Sequence, residues 1–251
     1  MKRAKILGFT LVETLVAIVI GVISVAALFY SYQIVNKSYQ GILDKASISR
    51  SGRDALTMIA KDLRNAGYKD VNYTRAIFDR WIEQRDFEES SADFLAIYYN
   101  TSPNDRVRIY YRVRKYKNSN DMFLGRDVVE NPVTNPKQLL LNEIIVPYVT
   151  DFQVVLKDID GKELKPVCIK CNAESLKHGT AAEGKANQSK VHTAEVYLTV
   201  RSPNKIYQKD KIWKIINYNS PTGRTQTLSP DRYHRETFFT SVYLRNIVNI
   251  K

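Results

Sequence analysis

Cysteine, histidine and proline are all scarce in this 251-residue chain, and each scarcity closes off a class of function. There are two cysteines, Cys168 and Cys171, in the run CIKC. That is too few for a domain stapled by a disulfide framework. The three histidines, His178, His192 and His234, are scattered along the chain. No HExxH helix, GxSxG elbow or phosphate loop is present. The chain therefore reads as a protein that is not an enzyme and holds no cofactor or metal. Proline does not occur between Met1 and Pro103, which removes the usual cause of a helix kink over that stretch. Between Phe9 and Tyr30 charge is nearly absent as well, with Glu13 the one charged side chain.

What is present begins with that apolar run. Phe9 to Tyr30 is long enough to cross a bilayer core as a helix. Lys2, Arg3 and Lys5 precede it, so the positive-inside rule puts the N-terminus in the cytoplasm and the remainder across the membrane. A secretory signal has a shorter apolar core, with its small-residue cut site after it. Here the candidate cleavage point, Gly8–Phe9, lies before the run, and cleavage there leaves the anchor on the mature protein. Glu13 is costly inside a membrane span and marks a functional site by default. The plainer alternative is a carboxylate near the membrane edge that reaches the headgroups.

The block GFTLVETLVAIVI, behind its basic leader, resembles the class III signal of type IV pilins and type II secretion pseudopilins. The resemblance implies a cut after Gly8, methylation of Phe9, and Glu13, the fifth mature residue, as a determinant of filament assembly. The partners it implies are a prepilin peptidase, an inner-membrane assembly platform, and other minor and major pilins. It implies a single-pass protein of the inner membrane, N-terminus cytoplasmic and C-terminal domain periplasmic, destined for a pilus at the cell surface. Further along, DLRNAGY, SADFLAIYY, VTDFQVVLKDIDG, AEVYLTVRS and VYLRNI follow the layout of PilW-type minor pilins and of pseudopilin J. That layout implies an α+β, pilin-like fold, with a long N-terminal α-helix laid on antiparallel β-sheet. The implied role is that of a minor pilin helping to initiate pilus assembly at the tip. A minor pseudopilin of type II secretion and a DNA- or surface-binding adhesin subunit are the alternatives.

Read in order, the chain divides into a leader at 1–8, a membrane or filament-core helix at 9–30, an amphipathic continuation at 31–67, and a β-rich domain at 68–251. In the continuation Leu56, Ile59, Ala60, Leu63 and Ala66 recur at helical spacing. Asp62 and Arg64 fall outside that stripe and read as a solvated or locally paired face. Gly52 reads as a weak point of the helix, and Gly67 as its C′ residue. Residues 74–89 are expected to form a short second helix, capped by Thr74, with Ile77, Phe78, Trp81 and Ile82 turned inward. DFLAIYYN and RVRIYYRVRKY read as two strands of a hairpin. The alternating Arg106, Arg108, Arg112 and Arg114 give the second strand a solvated basic face. The sharper alternative is a tyrosine-lined strip that contacts phosphates and stacks bases. The net charge of +12 is compatible with either.

Residues 162–190 and 202–234 are polar excursions with little periodicity. Asp158 and Asp160 belong to a turn at Gly161, since a calcium loop needs more oxygen ligands. CIKC lies in the first excursion and leaves three readings open. It can be half of a zinc site completed by His178 and His192, a pair of free or redox-active thiols, or a local disulfide, the simplest of the three in an exported chain.

Overall fold

The structure, a computed structural model, describes residues 10–68, 81–87, 92–101, 105–130, 136–164, 167–169, 190–215 and 226–248. The chain forms two compact units that meet between Asp44 and Lys45. Helix α1, Leu11–Asn65, runs without a break, as the lack of proline requires. Within the first unit its side chains are exposed almost throughout, including Leu15, Val19, Val22, Val25 and Phe29. The helix is long and apolar enough to cross a membrane.

In the second unit the same helix becomes one-sided. Ile48, Ala55, Leu56, Ile59, Ala60, Leu63 and Ala66 are buried, at the helical spacing expected of a core face. Gly67 takes a φ of +74°, which glycine adopts at little cost. Its N–H donates to the Tyr98 carbonyl at 2.9 Å. A second short helix, α2, Arg245–Val248, closes over this end. The Asn246 side chain donates to the Arg64 carbonyl at 2.8 Å.

Eleven described strands follow α1: β1 Ile82–Phe87, β2 Phe94–Asn100, β3 Arg106–Lys115, β4 Met122–Glu130, β5 Lys137–Pro147, β6 Val149–Lys157, β7 Val167–Ile169, β8 Thr193–Lys205, β9 Lys214–Ile215, β10 Gln226–Thr227 and β11 Tyr233–Tyr243. They form a six-stranded sheet in the order β5-β4-β3-β2-β1-β7, a three-stranded sheet β11-β8-β6, and the pair β10-β9. Every pairing is antiparallel except β1 with β7. The expected hairpin is β2 with β3, registered Phe94 to Arg112 through Asn100 to Arg106. One core joins α1 to both larger sheets, through Ile97, Ile109, Tyr111 and Leu124 from one and Phe152, Val196, Leu198 and Phe238 from the other.

Three local expectations change. The part of 74–89 that is described is strand, not helix: β1 pairs with β2 from Ile82–Ile97 to Arg85–Phe94. Trp81 and Ile82 are buried all the same, together with Glu83 and Gln84, because pairing on both sides within a sheet overrides a weak local helix preference. Residues 74–80 lie outside the described set. Next, β8 continues through Lys205, and β9 and β10 form a pair, so the 202–234 segment carries regular structure. Last, Val167–Ile169 is a strand, which places the backbone of Cys168 opposite Asp86.

Candidate assembly determinants

Of the N-terminal determinants, Gly8 and Phe9 lie outside the described residues. Glu13 sits in the first turn of α1. Its Oε2 accepts from the Thr10 backbone N–H at 2.8 Å and from the Thr10 hydroxyl at 2.9 Å. The Glu13 N–H is 3.3 Å from the Thr10 Oγ1, which accepts it. This is a reciprocal capping box, in which residues three apart satisfy each other's otherwise orphaned N–H donors. The carboxylate is thereby held against the start of the helix, where the macrodipole also favours negative charge. Thr10 was not among the expected site residues. Its signal was in the spacing Thr-x-x-Glu ahead of an apolar run.

At the other end of the helix the expectation for Asp62 is overturned. Asp62 is buried, 6% exposed, and faces the sheet. Its Oδ2 accepts from the Tyr111 hydroxyl at 2.5 Å and pairs with the Arg126 guanidinium at 3.0 Å. Arg126 also reaches Glu143 at 3.4 Å. Tyr111 and Arg126 come from β3 and β4, so one helix carboxylate is tied to two strands. Burial and the neighbouring Asp62 push the Tyr111 phenol well above its ordinary value. Desolvation lowers the Arg126 pKa, but Asp62 and the Tyr111 oxygen together outweigh it, and the net shift is upward. Arg64 is exposed, as expected.

The basic strand is not a free strip. Arg106 is 4% exposed, with its guanidinium 4.8 Å from the Tyr98 ring centroid and 5.6 Å from that of Trp81. Arg108 lies 4.0 Å from the Tyr110 centroid. Arg112 and Arg114 both pair with Asp127 of β4, Arg112 at 3.1 Å. A cation over a ring face is attracted by its quadrupole, and these rings are taken by protein cations. The solvated-face reading fails for Arg106 and Arg114, and the Tyr98 and Tyr110 rings each carry a guanidinium. The cross-strand register explains this: Tyr98 stands opposite Arg108, and Tyr110 opposite Asp127.

The turn at Gly161 is an Asx turn. The Asp158 Oδ1 accepts from the N–H groups of Asp160 at 3.1 Å and Lys162 at 2.8 Å. Among the described residues no cluster of three metal-ligating side chains occurs. Cys171 and His178 lie outside the described residues, and the pairing of Cys168 with Cys171 with them. His192 and His234 are on or beside β8 and β11, 6.0 Å from the Tyr243 ring and 2.9 Å from the Tyr207 hydroxyl respectively.

Residues 3–29 match the family model of the prokaryotic N-terminal methylation motif. The fold is similar to that of a type IV-like pilin from Thermus thermophilus, with a TM-score of 0.50 over 76% of this chain and 92% of that one, at 15% identity. No curated protein sequence matches the chain.

Proposed function

We propose that this chain, a member of the type IV pilin superfamily by its N-terminal motif and its fold, is a minor pilin that helps initiate a filament at its tip. The observation that carries the reading is the bare apolar half of α1, headed by a capped Glu13. A prepilin peptidase cutting between Gly8 and Phe9 leaves a new amine four residues before Glu13. In the isolated subunit Glu13 satisfies its own helix start. Against a neighbouring subunit it exchanges part of that cap for the neighbour's Phe9 amine. In a low-dielectric helix bundle an unpaired charge is penalised, so the pair selects the docked register. The PilW-type order of segments downstream supports a minor rather than a major subunit. The same features suit a minor pseudopilin of type II secretion, which differs in the structure it builds.

The test is deletion of the coding sequence, followed by counts of surface pili and assay of an exported enzyme in the same strain. Loss of pili with export intact supports the pilin reading. Pili unchanged with export lost would replace it by the pseudopilin. Complementation with Glu13→Ala should restore the membrane protein but not the filaments. Full restoration would remove Glu13 as the register key.

A further inference from the structure

The structure places an exposed basic element at the edge of the three-stranded sheet that no part of the filament reading uses. Between Lys205 and Lys214 the chain reads KIYQKDKIWK, and Lys205, Lys209, Lys211 and Lys214 are all exposed. The segment folds back on the residues entering β11. Lys211 bridges Asp231, with N–H to carbonyl distances of 2.7 and 3.1 Å in the two directions. The Tyr207 N–H donates to the Arg232 carbonyl at 3.0 Å, and the Leu228 N–H to that of Trp213 at 3.0 Å. The two local carboxylates are already engaged: Asp210 pairs with Arg232 at 3.3 Å, and Asp231 with Arg235 at 2.6 Å. Lys209 and Lys214 have no ion-pair partner among the described residues. In the middle of the lysines Ile212 projects with 67% of its surface exposed. Behind it Tyr207, Trp213 and His234 form a three-ring platform with centroids 6.1–6.2 Å apart.

We propose that the Lys205–Lys214 element docks on an anionic lipid surface. Its charge selects a polyanion, because the lysines exceed the carboxylates and those carboxylates are paired. Its shape selects lipid over nucleic acid. Binding single strands needs free ring faces, and here the rings pack on one another, with the Lys211 ammonium 3.7 Å over Tyr207. The group left free at the tip is the aliphatic Ile212, which offers no ring face to a single strand and enters the boundary between headgroups and acyl chains. Lysines around an apolar tip, backed by a tryptophan and a tyrosine, are the composition of a membrane-interface contact. The chain's own apolar helix brings the domain to a bilayer. The proposal rests on that anchor and not on any role in a filament.

The experiment uses the full-length protein in bilayer nanodiscs, one set of phosphatidylcholine and one containing phosphatidylglycerol, each with brominated acyl chains. Trp213 reports contact through bromine quenching, and a Trp213→Phe variant measures the background from Trp81. Quenching is expected in the anionic discs only, and should weaken as ionic strength rises. Lys209→Gln and Lys214→Gln should each lower the docked-to-free ratio about fivefold. Both residues are exposed, so an unchanged circular dichroism spectrum accompanies the loss. Equal quenching in neutral and anionic discs, or quenching that survives both substitutions, overturns the proposal. Salt-dependent binding of duplex DNA with no quenching in either disc also overturns it and assigns the patch to nucleic acid.

Discussion

Single side chains set the strongest local constraints. Asp62 answers two strands at once, and its loss strands the largely buried Arg126. Asp62→Asn should lower the unfolding free energy by about 3–5 kcal/mol, the range for breaking a buried ion pair. Tyr111→Phe, which removes one bond and leaves the ion pair, should cost about 1–2 kcal/mol. Urea titration at neutral pH measures both, and equal costs would show that the Asp62–Arg126 pair is not the dominant contact. The phenols set an alkaline limit. Burial pushes Tyr98 from 10.0 up to about 12. A phenol that ionises less readily when folded adds stability that is complete below about pH 10 and is lost as pH rises through the folded value. Stability should therefore fall above pH 10, and more gently in Tyr98→Phe. His234 acts at the other end. Burial, then Lys45 and Lys211, hold its imidazole below the ordinary 6.5. The unfolded chain takes that proton more readily, so stability should decline as pH drops below 6.5. His234→Gln should reduce the slope.

Elements meet through a few small contacts. Gly52 reads in isolation as a weak point, yet a Cβ there would come within 2.2 Å of the Phe238 ring from β11. Alanine elsewhere in a helix gains about 1 kcal/mol over glycine. At this notch overpacking reverses the sign, and Gly52→Ala should destabilise by about 1–3 kcal/mol. Phe238→Leu in the same chain should recover part of that loss, which a double-mutant cycle by thermal unfolding would register. The two larger sheets are joined by the Arg201–Asp121 ion pair from β8 to the turn before β4. They are joined again by Asp93, whose Oδ2 accepts from the Val154 N–H of β6 at 2.8 Å. We propose that Cys168, in the short strand β7, forms a disulfide with Cys171. So short a loop constrains the unfolded chain less than a long one does, and reduction should cost at most a few kcal/mol, mostly local to the bridge. Mass spectrometry under non-reducing conditions decides it, and two free thiols in exported protein would replace the disulfide.

For the molecule as a whole the N-terminus decides everything that follows. Protein extracted from cells with an active prepilin peptidase should begin at Phe9, methylated, by intact mass and N-terminal sequencing. A protein beginning at Met1 in such cells would remove the processing step on which the filament reading depends. Gly8 replaced by a bulky residue should leave the unprocessed chain in the membrane. The domain from Lys45 onward has its own core, and neither change touches it, so limited proteolysis of that domain should be unaltered.

The long apolar helix, the placing of Glu13 in its first turn and the inward stripe of α1 were all legible in the sequence. Each is a pattern among near neighbours, set by the length of a bilayer or the pitch of a helix. The hairpin β2–β3 was legible for the same reason, since alternation and a short polar turn are local. The capping box was written in Thr10 and Glu13 as well, though it was not read. Asp62 was misread because its partner Arg126 lies 64 residues away, and a carboxylate off the apolar stripe looks like any solvated one. Arg106, Arg112 and Arg114 of β3 looked free because their partners, Trp81 and Tyr98 for the first and Asp127 for the other two, come from other parts of the chain. Residues 74–89 gave a helical count of apolar positions, and pairing with β2 made the part from Ile82 to Phe87 strand. Gly52 was read as a cost because its use depends on a phenylalanine brought in by β11. Burial of a charge, choice between strand and helix in a short run, and the value of a glycine are set by whatever packs opposite. Those partners meet only once α1 and the two sheets have closed around one core.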